Sequence, residues 1–365
     1  MKIVKSNSPY IHRKSSVKRM MIDVLIALIP VVVFSIIQYG LSAVKILGIS
    51  IVTMLISEFV FVFITNQDPY DGNKRTLKER INTAISKASI NNITAPLISA
   101  IIYAMIMPAG AKWYYILVGS ASGMILGKLL FGGLGSNIFN PAALGRIITV
   151  VCFGGKMSYT NPLINGSFDA TAGGTPLSVI ATDMTVINYN SIGNLFLGLI
   201  PGSIGEICKV AILIGFIYLV IRKSCDFRPT VGMLGSFLII VIFASLAKGE
   251  NVLQFSLYHL LSGGLLFGAC FMVTDPITSP VTRPGRFTFG ICVGVITAFI
   301  RLLGAYPEGV AFAILLSNML VPVIDYYKWS TNKYSYKHAI LWSSIIAISS
   351  VVIYFSCRWE YEVWF

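Results

Sequence analysis

Long apolar runs alternate with short polar or glycine-rich segments along almost the whole chain, and the runs predict its elements. The first, residues 22–40, is long enough to cross a bilayer and is interrupted only by Pro30 and Gln38. Runs at 44–64, 93–107, 113–130 and 141–153 complete a first membrane half, residues 21–153. A second half, 192–324, opens with 192–204, broken by Pro201-Gly202 and reading as a half-helix that leads into 207–221. It continues through 231–247, 255–273, 287–300 and 310–324. The pattern predicts an all-α polytopic integral membrane protein with about ten transmembrane helices. A further apolar run, 339–357, lies within the terminal segment 325–365 and is an optional eleventh.

Composition agrees with that reading. Hydrophobic types make up 55% of the 365 residues and charged types 12%, about half the charged fraction of a soluble domain. Mean hydropathy is +0.77. The net charge of +13 is not gathered on one domain but sits between apolar runs, so it reports topology and not nucleic-acid binding. Residues 1–20 carry Lys2, Lys5, Arg13, Lys14, Lys18 and Arg19 and read as a cytoplasmic arm. Two crossings return the most charged segment, 66–92, to the same side. The polar segment 154–191 has Lys156 as its one basic residue and reads as an external loop. The six cysteines show no CxxC pair and the three histidines lie far apart, which argues against cluster, zinc or haem ligation.

Two stretches are neither helix nor ordinary loop. Gly132-Gly133-Leu134-Gly135-Ser136-Asn137-Ile138-Phe139-Asn140-Pro141 is too glycine-rich for a regular helix and too apolar for a solvated loop. It reads as a re-entrant turn near the cytoplasmic face, with a plain tight loop as the alternative. Thr274 to Arg286 holds three prolines and reads as a rigid loop at a membrane edge. Glycines in both either serve close helix packing or make room for a flavin or a partner. Glu206 and Asp275 are acids at or within apolar segments, where an ionisable group is costly and usually functional. Lys128 and Arg301 are candidate partners or anion-binding groups, with snorkelling to the interface as the equal alternative. Asn140-Pro141 with Gly145-Arg146 echoes Ser279-Pro280 with Gly285-Arg286, a hint of internal repetition. The positive-inside count, however, places both loops on one side, which inverted copies in matching positions would not do.

The external loop carries Asp169-Ala170-Thr171-Ala172-Gly173-Gly174-Thr175. Its small residues let a bulky ligand approach the backbone, and its hydroxyls lie beside a carboxylate. This stretch resembles the Asp-x-x-Ser-Gly-Ala-Thr signature at which a flavin transferase attaches FMN to threonine through a phosphoester. Ala172 stands in place of the serine and Gly174 in place of the alanine. The family is the RnfD membrane subunit of the Rnf electron-transport complex, related to the NqrB subunit of the sodium-pumping NADH:quinone reductase. The resemblance extends over nearly the whole chain, through Phe131-Gly132-Gly133-Leu134-Gly135 to Asn140-Pro141-Ala142, Gly202-Ser203-Ile204-Gly205-Glu206, His259 to Gly264, and Phe271 to Pro280.

The resemblance implies a membrane flavoprotein subunit of an ion-translocating ferredoxin:NAD oxidoreductase, relaying electrons coupled to Na⁺ or H⁺ transport. Thr175 is then the covalent FMN acceptor, with Asp169, Gly173 and Gly174 around it and Thr171 as the alternative acceptor. It also implies a second, non-covalent flavin (riboflavin) among the membrane helices. Gly133, Gly135, Asn137, Asn140, Glu206, Asp275 and Arg301 are candidate contacts for that flavin, the ion or a partner. Expected partners are the other membrane and peripheral subunits, the flavin transferase and membrane lipid. A reading from another class, a channel or secondary transporter without a redox role, would also suit broken helices and intramembrane acids.

Overall fold

The computed structural model describes residues 17–65, 90–154, 157, 159, 177, 192–206, 208–304, 309–326 and 330–364. Among them the secondary structure is helical, apart from one isolated antiparallel bridge between Pro108 and Ser203. The helices are α1 (Val17–Tyr39), α2 (Leu41–Thr65), α3 (Asn91–Met105), α4 (Trp113–Gly127), α5 (Pro141–Phe153) and α6 (Ile192–Leu197). Then come α7 (Lys209–Arg222), α8 (Arg228–Lys248), α9 (Val252–Leu261), α10 (Leu265–Met272), α11 (Arg283–Leu303), α12 (Val310–Ile324) and α13 (Tyr336–Trp364).

About ten crossings are expected from the sequence, and the structure supports a coarser statement. Six helices among the described residues are long and apolar enough to cross a membrane: α1, α2, α4 with its 3₁₀ extension, α8, α11 and α13. The pair α9 and α10 makes a seventh if counted as one bent span. The remaining apolar helices, α3, α5, α7 and α12, have 13 to 15 residues, short of the ~20 needed for a straight crossing. The optional terminal run is one of the long helices. The expected half-helix over 192–204 is helical only to Leu197. Its remainder inserts as non-helical chain, with Ile204 N–H donating to Met107 C=O (3.0 Å) and Gly205 N–H to Met105 C=O (2.7 Å).

Helices α1–α5 and α7–α12 form two repeats with the same order of packing. In the first, α2 packs on α3 and α4, and α4 on α5; in the second, α8 packs on α9 and α11, and α11 on α12. Across the centre α1 meets α7 and α5 meets α12, each pair antiparallel. Asp23 near the start of α1 accepts from Arg222 at the end of α7 (3.2 Å), while Tyr39 at the other end of α1 donates to Gly202 C=O before α7 (3.2 Å). Asn318, late in α12, accepts from the backbone N–H of Asn140, which caps α5, and donates to Thr278 C=O, both at 3.2 Å. The repeats are therefore inverted. This removes the conflict raised by the two proline loops: Asn140-Pro141 opens α5 while Ser279–Arg286 leads into α11, the counterpart of α4, so the two loops are not copies of one another.

Glycines set the closeness of the helices within each repeat. A Cβ on Gly123 of α4 would lie 2.5 Å from Pro141 C=O of α5, and one on Gly290 of α11 would lie closer still to Pro229 C=O of α8. Backbones this close gain van der Waals contact where lipid removes the hydrophobic drive for helix association. The bend between α9 and α10 is 63°, placed at Ser262-Gly263-Gly264 where Gly263 adopts φ +61°. Such a turn is open to glycine and strained for other residues.

Candidate functional site

One end of the molecule gathers the start of α1, the end of α7, the starts of α5, α8 and α11, and the loops that precede them. A cavity of about 450 Å³ opens there between the two repeats. Its walls are mostly apolar, with Met20, Val24, Ile98, Ile102, Leu219 and Phe271 among them. Polar groups enter from Asn91, Ser99, Lys128, Asn137, Asn140, Ser224 and Asp275. An apolar cleft of this size with a few converging polar groups is the usual form of a cofactor site.

The glycine-rich stretch is one wall. After a single 3₁₀ turn (Leu129–Phe131), Gly132, Gly133 and Gly135 all take positive φ, between +91° and +105°. That conformation, closed to a regular helix, turns the chain back toward α5. Asn140 then caps α5, its Oδ1 accepting from Ala142 N–H (3.0 Å) and Ala143 N–H (3.3 Å). Gly135, Asn137 and Asn140 line the cavity, whereas Gly133 lies beside Phe61 of α2.

The opposite wall is the loop after α10. Asp275 accepts from Ile277 N–H (3.2 Å) and the Thr278 hydroxyl (3.1 Å). Burial nonetheless pushes its carboxyl above the ordinary carboxylate range. Two buried polar atoms on the lining, Asn137 Oδ1 and Asn91 Oδ1, have no hydrogen-bond partner among the described residues. An unpaired buried acceptor is costly, and a ligand donor would remove that cost.

Glu206 and Arg301, grouped with these residues on sequence, lie elsewhere, around the break between α9 and α10. The Glu206 carboxylate abuts Gly264. Arg301 Nη1 donates to His259 C=O (2.7 Å) and its guanidinium stands 5.2 Å from the Phe237 ring centre. Lys209, 1% exposed, donates to the carbonyls of Glu206 and Gly263. The end of α9 and the break after it supply one carbonyl to each of these buried cations, and Lys209 takes its other from Glu206 before α7.

Two further acids are buried without having been singled out on sequence. Glu58 of α2 pairs with Lys128 at 2.9 Å, both side chains 2–3% exposed, and accepts from Asn92 Nδ2 (3.1 Å). Asp23 of α1 accepts from Arg222, Tyr218 and Ser224. Each carries the mark that identifies Glu206 and Asp275, an acid inside an apolar run. Lys128 thus lines the cavity as half of a buried ion pair and does not snorkel outward.

Asp169, Thr171, Gly173, Gly174 and Thr175 lie outside the described residues. On either side of them, Leu177 is buried, and Tyr159 accepts from Arg146 of α5 at 3.0 Å.

The sequence model of the NQR2, RnfD, RnfE family matches residues 4–333. The chain is 30% identical over 330 residues to the D subunit of the proton-translocating ferredoxin:NAD(+) oxidoreductase complex of Clostridium ljungdahlii, covering 88% of this chain and 92% of that one. It is 33% identical over 325 residues to the D subunit of the Na(+)-translocating ferredoxin:NAD(+) oxidoreductase complex of Acetobacterium woodii, with the same coverage. The B subunit of the Na(+)-translocating NADH-quinone reductase of Chromohalobacter salexigens is 35% identical over 237 residues, 63% of this chain and 57% of that one.

Proposed function

Because the chain belongs to the NQR2, RnfD, RnfE family, we propose that it is the membrane flavoprotein subunit of an ion-translocating ferredoxin:NAD⁺ oxidoreductase complex. It carries FMN as a phosphoester on Thr175 and holds a second, non-covalent flavin in the cavity between the repeats. The observation that carries the second part is the cavity itself: apolar walls for a flat ring, with the unpaired amide oxygens of Asn91 and Asn137 available to the N–H donor of a flavin edge. When bound, a flavin supplies electron acceptance and donation. The residues of this chain hold and orient it. The Glu58–Lys128 pair fixes one wall, the Asn140 cap fixes the glycine-rich turn, and Asp275 fixes the loop after α10.

The relative from Clostridium ljungdahlii is named for proton translocation and that from Acetobacterium woodii for sodium translocation. In this chain the buried groups around the α9–α10 break, Glu206, Lys209 and Arg301, are the candidates for the ion. The N-terminus is cytoplasmic and the loop bearing Thr175 external. The transporter reading without redox chemistry draws on the inverted repeats and the 63° break, an architecture shared with secondary transporters.

Denaturing gels separate the two readings. The chain purified from cells with an active flavin transferase shows flavin fluorescence on its gel band, and Thr175→Val removes it. A colourless wild-type band contradicts the covalent flavin. Flavin released from the native complex by mild denaturation reports the cavity; Asn137→Leu reduces that fraction and leaves the gel band bright.

A further inference from the structure

A second cavity, about 570 Å³, opens at the same end as the first. Ser224, Cys225, Thr274 and Pro276 line both. Its character is different. Lys223, Arg228, Arg283 and Arg286 line it, against a single carboxylate, Asp226.

Positive-inside charge explains why basic residues lie on one side of a membrane, but not why they surround a cavity in fixed orientations. Here Asp226 Oδ2 accepts from Arg228 Nη1 (2.8 Å) and Arg286 Nη1 (2.9 Å), tying two guanidinium groups together. Their Nε atoms are held as well, Arg228 by the Tyr334 hydroxyl (3.0 Å) and Arg286 by Pro280 C=O (2.9 Å). Each guanidinium keeps further N–H donors in a fixed fork. The other two cations are uncommitted: the side chains of Lys223 and Arg283 have no hydrogen-bond or ionic partner among the described residues.

Backbone features add to the same field. Lys223 sits at φ 58°, ψ 29° as the left-handed cap of α7, the one non-glycine residue at positive φ among those described. Glycine would take that conformation without strain. Both α8 and α11, each of 21 residues, begin at this rim, with Arg228 and Arg283 as their first residues. Their N-termini present partial positive charge to the same space.

We propose that this vestibule binds a phosphate group, carried either by an anionic phospholipid headgroup or by a soluble phosphate. The site is distinct from the flavin cavity, and the proposal does not depend on a flavin being present.

The test uses the purified complex in detergent, stripped of lipid. Binding of phosphatidylglycerol in mixed micelles and of radiolabelled inorganic phosphate is measured on wild type and on Lys223→Asn/Arg283→Gln. Asparagine is chosen because it tolerates the left-handed cap. Both positions are exposed, so the variant should stay monodisperse; Arg283→Gln alone is the substitute if it does not. A control, Lys18→Gln/Lys337→Gln, removes equal charge from exposed positions outside the vestibule. The expected result is saturable binding of at least one probe, weakened at least about tenfold in the vestibule variant and less than about twofold in the control. Arg283→Lys, which keeps the charge, retains binding. Phosphatidylglycerol that excess inorganic phosphate does not displace identifies a lipid, and saturable binding of inorganic phosphate alone identifies a soluble ligand. Either supports the site. No saturable binding of either probe, or equal weakening by both double variants, overturns it. So does a vestibule variant that sheds a peripheral subunit while binding both probes like wild type.

Discussion

The two repeats place buried charge among apolar helices by different means. In the first, α3 runs from Asn91 to Met105 without a break. One of its buried cations, Lys128, is held by a carboxylate, Glu58, at 2.9 Å. In the second, the corresponding helix is broken at Ser262-Gly263-Gly264. The carbonyls near the break are available, and the cations use them: Arg301 on His259 C=O and Lys209 on Gly263 C=O. The pair on Lys128 uses a counter-charge, whereas the broken helix also offers backbone carbonyls to a cation. The first arrangement suits a fixed wall for a cofactor; the second suits a place where ions bind and leave.

The strongest way to break this contrast is Glu58→Leu, which leaves Lys128 buried without its counter-charge. The expected loss is about 3–5 kcal/mol of stability, read by denaturant or thermal unfolding of the purified chain in detergent. Adding Lys128→Leu should return most of it. If the single variant unfolds like wild type, the pair does not hold the first repeat.

Arg301→Met removes a charged donor from His259 C=O and should cost less, about 1.5–3 kcal/mol, the range for a hydrogen bond made by a charged group. The same unfolding assay ranks it below Glu58→Leu; the reverse order would contradict the comparison. Gly123→Ala and Gly264→Ala refine it further. A Cβ at Gly123 meets the Pro141 backbone at 2.5 Å, whereas one at Gly264 meets the end of the Glu206 side chain. Overpacking against backbone should cost about 1–3 kcal/mol, and a movable carboxylate should absorb more of the strain. Gly264→Ala is therefore the milder change in stability and the more harmful to ion-coupled transport measured in proteoliposomes.

The smallest effect concerns pH at the basic end. Burial would raise the Asp226 carboxyl, but hydrogen bonds from Arg228 and Arg286 hold it below its usual value of 3.8. A carboxyl lowered on folding contributes stability that is complete above its unfolded value and lost as pH falls through the folded one. The Asp226 contribution should thus weaken only in acid, below about pH 4. Asp226→Asn should flatten that part of the unfolding profile by lowering stability in the neutral region while leaving the acid end little changed.

Much of this fold could be read from periodicity alone. Helices α5 and α12 span the predicted residues, because Asn140-Pro141 marks one start and the apolar runs end sharply. The inverted repeat was less visible. It lies in the order of packing, and the sequence echo between Asn140-Pro141 and Ser279-Pro280 joins loops that are not equivalent. Half-crossings were also hard to recognise, since the non-helical insertion at 198–206 continues an apolar run and is fixed by backbone pairing to Met105 and Met107. Of the candidate contacts, Gly135, Asn137, Asn140 and Asp275 share one cavity. Glu206 and Arg301 belong to the other repeat's helix break, and no spacing in the sequence separates these two groups. Asp23 and Glu58 were legible in principle, as acids within apolar runs, but their partners come from helices distant along the chain.

The central claim is that Thr175 tethers a flavin. Trypsin should release the stretch from Met157 to Lys209 as one peptide, since no lysine or arginine lies between Lys156 and Lys209. Mass spectrometry of that peptide from the native complex measures the claim directly. The account predicts the mass of the peptide plus one FMN less one water, with fragment ions placing the increment on Thr175 and its disappearance in Thr175→Val. An unmodified peptide from cells that contain the transferase, or an increment that fragments onto Thr171, would contradict it.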